Sequence, residues 1–392
     1  MVALAALALL AAPAACAEEQ PAVPPLAVGS TTPPPPALPE ARSSAPAGPA
    51  SCVDTTLARL DRRARAGQLV MGGVPADGLT SGARAAVAGG AGGIILTDAA
   101  GGGEVSVDAV SGTVRAAQAA ADVPLLVATD QEGGRVQDLA GAGFTRIPSA
   151  AVQARDRAGL RADAAGWGRE LAAAGVGLDL APVANVVDPA LGEDNAPVGA
   201  LDRGYGTDPG VVGPAVAAFV GGMGQSGVST TLKHFPGLGQ VRQNTDFAGT
   251  VVDTTTTRDD PGLASFRAGI EAGAGAVMMS SARYTRIDPD EPALFSRTIV
   301  TDVLRGDLGF GGVVMTDDVG AAAALADVRV GQRAVRFVTA GGDLVLTVRP
   351  GDVAPMVDAL VAAADDPAFA ARLDESARRI LTLKSERALL RC

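Results

Sequence analysis

Three strings gather acidic, basic and imidazole groups at spacings that chemistry can use: "ATDQEGGRV" (128–136), "TLKHFPGLGQVRQNTDF" (231–247) and "GGVVMTDD" (311–318). The first sets the carboxylate of Asp130 after an apolar run and follows it with a Gly-Gly turn. A short acceptor on a stiff strand suits ligand hydroxyls, and one carboxylate can hold two of them on neighbouring carbons. The alternative is local: Asp130 closes the loop or pairs with Arg135. The second string delivers Lys233 and His234, the single histidine of the chain, and then opens a polar loop from Gln240 to Asp246. A cation and an imidazole side by side can donate to ligand oxygens or stabilise charge. One histidine without a cysteine cluster argues against a His-based metal site. No G-x-S-x-G turn accompanies it, so Ser-His-Asp chemistry is not expected either. The third string places Asp317 and Asp318 after a β-like run. Adjacent side chains on a strand point opposite ways. One is therefore expected to face a pocket and the other to cap the next segment, "VGAAAALAD", as a helix. A carboxylate on a stiff strand also suits nucleophilic attack at an oxocarbenium-like centre. Spacing alone leaves the choice between Asp317 and Asp318 open.

Groups scattered over two hundred residues need a rigid frame to meet. Eight short apolar runs supply one: 68–74, 92–97, 124–130, 177–186, 230–236, 276–281, 311–318 and 343–348, with helix-like stretches between them. The runs are rich in Val, Ile and Leu and continuous rather than alternating, as strands buried on both faces are. Eight such strands make a single α/β, TIM-like (β/α)8 barrel over residues 52–392 the economical solution, with a doubly wound open sheet as the alternative. Polar residues gather at the same end of successive runs. They are Asp130 with Glu132 and Arg135, Asn185 with Asp188, Lys233 with His234, Ser280 with Ser281, Asp317 with Asp318, and Thr347 with Arg349. That is the end at which barrels carry their sites.

Composition narrows the ligand. A net charge of −11 disfavours nucleic acid and anionic membrane surfaces as partners. Aromatics make up only 3% of the chain, so the core must pack from Ala, Val and Leu. Residues 1–16 read as an apolar export segment, and Cys16 directly after "PAA" resembles a lipoprotein box, with the cysteine lipidated as the only membrane attachment. Residues 17–51 are Pro/Ala-rich and are expected to be a disordered tether. Cys52 and Cys392 flank the rest. In an exported protein of the cell envelope they are expected to form a disulfide.

Several strings together resemble glycoside hydrolase family 3, in its single-domain bacterial β-N-acetylglucosaminidase branch. They are "DQEGGRV", "LAPVANV", "GALDRGYGTDP", "KHFPGLG", "DPDEPALFS" and "GFGGVVMTDD", in family order from about residue 65 to 350. The resemblance implies a TIM-like barrel, a retaining mechanism, a GlcNAc-containing carbohydrate substrate and no metal or other cofactor; a monomer is expected. It also implies that Asp317 is the nucleophile and that Asp130 holds sugar hydroxyls. Lys233, His234 and Arg203 would bind the N-acetyl sugar, with Arg135 in the same motif as Asp130. The branch carries its acid/base on a His-Asp dyad in the loop after "KHFPGHG". Here the matching positions read Asn244, Thr245 and Asp246, and Leu238 replaces the second histidine of that motif. Three accounts follow: Asp246 is itself the acid/base, another acid serves or only good leaving groups are cleaved, or the chain is a GlcNAc- or peptidoglycan-binding pseudoenzyme.

Overall fold

The computed structural model describes residues 51–390. The export segment, the tether but for its last residue Ser51, Cys16 and Cys392 lie outside the described residues.

Eight strands form one all-parallel sheet. In chain order they are β1 (Val70–Pro75), β2 (Gly93–Thr97), β3 (Leu126–Thr129), β4 (Leu178–Asp179), β5 (Ser229–Phe235), β6 (Ala276–Met279), β7 (Val313–Thr316) and β8 (Val345–Thr347). Each pairs with its sequence neighbour, β1 pairs with β8, and the Met315–Leu344 bridge joins β7 to β8, so the sheet closes. The open-sheet alternative is thereby set aside. Nearly every strand residue is buried, which explains the continuous apolar runs. An open edge would have asked for alternation.

The runs at 68–74 and 343–348 sit where expected. The run at 177–186 keeps only two ladder residues, because Pro182 has no N–H to give; pairing resumes at the single Val183–Lys233 bridge. Helices fill the intervals, and their starts are written in the sequence. Asp61, Thr80, Ser106, Asp156, Asp208 and Asp366 each accept a backbone N–H in the first turn of the helix that follows. One helix expectation fails: "VGAAAALAD" forms turns and a short 3-10 segment at Ala323–Leu325, not an α-helix. The reason lies in Asp318, whose carboxylate accepts from Gly320 N and Ala321 N at 2.9 Å and from Val348 N, just beyond β8, at 2.9 Å. It ties a turn to β8 instead of starting a helix.

The base of the barrel is pinned by buried ions. Asp343, just before β8, takes ion pairs from Arg305 at 2.6 Å, Arg372 at 2.5 Å and Arg379 at 3.2 Å. Arg372 and Arg379 belong to the last helix, Pro367–Glu386, which thus closes the ring. The same helix meets the first one, Cys52–Arg59, through an Arg378–Asp54 ion pair. The two ends of the barrel therefore lie side by side.

Candidate active site

The C-terminal ends of β3, β5 and β7 bring Asp130, the Lys233–His234 pair and Asp317 to one mouth. Arg203 joins them from the loop after β4. Glu132 is the hub. It lies two residues beyond Asp130, and its side chain is only 3% exposed. Its two oxygens take a fork from Arg203, Nε at 2.9 Å and Nη2 at 2.7 Å. Lys233 Nζ reaches Glu132 Oε1 at 2.6 Å and also pairs with Asp130. Burial favours the neutral acid of Glu132, but the charges of Arg203 and Lys233 prevail and hold its pKa at about 2. Burial likewise opposes the Lys233 ammonium, and Asp130 and Glu132 outweigh it, raising that pKa. All three charges are therefore fixed at neutral pH.

His234 is set differently. Its carbonyl accepts from Asn185 Nδ2 at 3.2 Å and its backbone N–H donates to Asn185 Oδ1 at 3.3 Å. These two bonds orient the amide, so Asn185 Oδ1 is the acceptor that also meets His234 Nδ1 at 3.2 Å. The network thus assigns the proton to Nδ1. Burial, followed by the Arg203 and Lys233 charges, pushes the imidazole pKa well below its usual value. Nε2 keeps a lone pair, and it faces Asp317 Oδ2 at 3.8 Å. A neutral ring makes no ion pair there; it offers an acceptor to a ligand hydroxyl.

Asp317 leaves 23% of its side chain open to solvent, enough for a ligand to reach it. Its Oδ1 accepts the Asp318 N–H at 2.9 Å. Burial and then the charge of Asp246 push its pKa up to about 7. Asp246 stands on the outer side of the "QVRQNTDF" loop, exposed as a residue but partly desolvated at its carboxyl; that desolvation raises its pKa, with Arg203 opposing and Asp318 adding to the rise. That loop is docked: the Ala323 N–H donates to Asp246 O at 3.2 Å, the Ala324 N–H to Thr245 O at 3.3 Å, and Thr245 is buried. Both anchoring residues belong to the loop that follows Asp317.

The glycines of these motifs make room for the backbone. A Cβ on Gly239 would stand 1.7 Å from Val186 O, and Gly133 has φ 94° with its Cβ position 2.4 Å from Pro148 O. Asn195 staples the loops together. Its Nδ2 donates to Leu238 O at 2.7 Å and Val241 O at 2.6 Å, and its Oδ1 accepts from Val198 N at 3.1 Å and Gly199 N at 2.9 Å.

The family description "Glycosyl hydrolase family 3 N terminal domain" matches residues 64–383, nearly all of the barrel. The chain belongs to glycoside hydrolase family 3. A β-N-acetylhexosaminidase from Beutenbergia cavernae DSM 12333 is 47% identical with a TM-score of 0.81, and the match covers 84% of this chain and 99% of that one. A family 3 β-N-acetylglucosaminidase from Paenibacillus sp. FPU-7 is 31% identical with a TM-score of 0.75, covering 84% of this chain and 63% of that one. A β-hexosaminidase of Xanthomonas oryzae pv. oryzae is 38% identical over 259 residues, 62% of this chain and 73% of the relative.

On this family 3 barrel, Asp130, Arg203, Lys233, His234 and Asp317 converge, and Asp246 stands on the docked loop beside them, near enough for its charge to act on Asp317. Arg135 does not join them; it stands exposed beyond the Gly133–Gly134 turn. The motif reading placed Glu132 at the mouth without giving it a role, and it passed over Asn195. Glu132 had a signal, because i and i+2 on an extended segment share a face. Asn195 had only a local one, its Oδ1 turning back to Val198 N and Gly199 N, while the two carbonyls it staples lie more than forty residues away in sequence. The ion cluster makes a stability prediction. Lys233→Met leaves the buried Glu132 and the half-buried Asp130 short of a cation, and breaking a buried pair costs about 3–5 kcal/mol. The urea midpoint of the variant should fall accordingly; an unshifted midpoint would show that the cluster contributes nothing net.

Proposed function

We propose that the chain is a retaining β-N-acetylhexosaminidase that hydrolyses GlcNAc-containing cell-wall fragments or glycoconjugates, with Asp317 as nucleophile and Asp246 as acid/base. The observation that carries this reading is the Asp317 carboxylate: it stands at the end of β7, reachable by solvent, opposite a fixed set of sugar-hydroxyl partners and within the field of a second carboxyl. The printed names of the related proteins, β-hexosaminidase and β-N-acetylhexosaminidase, support the substrate class.

The chemistry follows from the charges. Asp130 and the His234 Nε2 accept from hydroxyls of the bound sugar, while Lys233 and Arg203 donate. Asp317 attacks the anomeric carbon as the bond to the leaving oxygen breaks, and the proton of Asp246 goes to that oxygen. Water then attacks the same carbon, gives its proton to Asp246 and frees Asp317. The positive charge that develops at the ring needs a negative neighbour. Lys233 and Arg203 do not oppose it, because their charges are matched by Asp130 and Glu132. Desolvation moves the Asp246 pKa upward, the direction a proton donor needs.

Incubation with 5-fluoro-N-acetylglucosaminyl fluoride tests the reading. Peptide mass mapping should find the sugar on Asp317. A label on another residue, or none, overturns it.

A further inference from the structure

The chain is poor in aromatic residues, with nine Phe, two Tyr and one Trp. Among the described residues all but one are packed in or against the core. The exception is Phe247, which is 85% exposed; the other exposed large hydrophobics, Val152 and Val252, reach only 44% and 42%. Scattered apolar residues on a surface need no explanation, and the two valines fall in that class. Phe247 differs in its place. It follows Asp246 directly, on the loop that the Ala323 and Ala324 N–H groups hold against the segment beyond Asp317. Its own N–H donates to Asn244 O at 3.2 Å, and the Ala248 N–H donates to the same oxygen at 2.9 Å. The turn that carries the ring is therefore closed on itself and tied to the rim of the mouth.

We propose that Phe247 is the platform of an aglycone subsite that takes a second pyranose ring, so that the chain selects substrates whose leaving group is itself a sugar. The inference rests on the assignment of Asp246 to the leaving-group side. The residue that protonates the leaving oxygen marks where the aglycone emerges, and Phe247 is its neighbour in the chain. A pyranose presents a face of C–H groups that an aromatic ring can cover. An aromatic face is electron-rich at its centre and carries little conformational entropy, which makes it a good platform. The sugar pocket proper, by contrast, is built from ions and hydrogen bonds and has no aromatic residue among its polar contacts.

The test is a binding ratio, so that it does not depend on turnover. The full chain is titrated with GlcNAc and with the sulfur-linked GlcNAc disaccharide, which glycosidases do not cleave. Wild type should bind the disaccharide about ten-fold more tightly, worth about 1.4 kcal/mol. In Phe247→Ala that ratio should fall to about two-fold, and Phe247→Trp should restore it where Phe247→Leu does not. A ratio that is the same in wild type and Phe247→Ala overturns the inference, and so does a wild type without preference for the disaccharide. Either result leaves the glycosidase reading standing. A wild type that binds neither sugar sinks both.

Discussion

Asp317→Asn is expected to lower kcat/KM for an aryl N-acetylglucosaminide by roughly 10⁴-fold or more, because no covalent intermediate can form without the carboxylate. The same change should stabilise the fold. Burial and the neighbouring Asp246 charge hold the Asp317 pKa at about 7, far above its unfolded value. A carboxyl raised on folding contributes stability at low pH and loses it as pH rises from about 4 to 7, where the unfolded chain sheds the proton first. The asparagine carries no such penalty. Its thermal midpoint should exceed that of wild type at pH 8, and the difference should vanish near pH 4. A variant that loses activity together with stability at pH 8 would point to a structural role for Asp317. A variant that keeps activity would remove it from the chemistry. The combination of lost turnover and gained stability is what a residue selected for function at the expense of packing produces.

Much of this was legible in the sequence, for physical reasons that differ from residue to residue. The barrel announced itself because strands buried on both faces cannot alternate, and eight continuous runs leave few other ways to bury them. A helix cap is a local bond between a side chain and an N–H two or three residues on, yet the one cap expected, ahead of "VGAAAALAD", did not start a helix. The choice between Asp317 and Asp318 was not local. Alternation showed that only one of the two could face the mouth; the partner that captures Asp318 is the Val348 N–H just beyond the end of β8. The same remote bond replaced the expected helix after it with a turn. Glu132 was placed at the mouth, but its role was hidden for a related reason. Its role as hub depends on Arg203 and Lys233 arriving from loops and strands far along the chain, and only closure of the ring brings them together. The docking of the Asp246 loop depends in the same way on two carbonyl bonds to a distant turn.

That docking gives the second large prediction its direction. Asp246→Asn should lower kcat/KM about 10²–10⁴-fold for a substrate with a poor leaving group, such as an alkyl N-acetylglucosaminide, and far less for one with a nitrophenolate leaving group. Added azide should restore part of the rate and yield the glycosyl azide, since an anion needs no base to attack the glycosyl-enzyme. The pH profile should change on both sides. Asp317 must be ionised to attack, so wild-type activity falls as pH drops through a value near 7. Removing the Asp246 charge leaves burial and the weaker push of Asp130 to raise that pKa, and the acid limb must shift to lower pH. Asp246 must hold its proton for the first step, so wild-type activity also falls as pH rises through its pKa; with asparagine that limb disappears. The two carboxyls titrate as a pair, so the apparent values belong to both, but the directions of change do not depend on how they are divided. An acid limb that stays in place would show that Asp246 does not face Asp317. Turnover of the alkyl substrate at the wild-type rate would pass the acid/base role to another group. A wild type that binds GlcNAc saturably yet cleaves neither substrate would mean that the exchange of the His-Asp dyad for Asn244, Thr245 and Asp246 ended hydrolysis and left a binding protein.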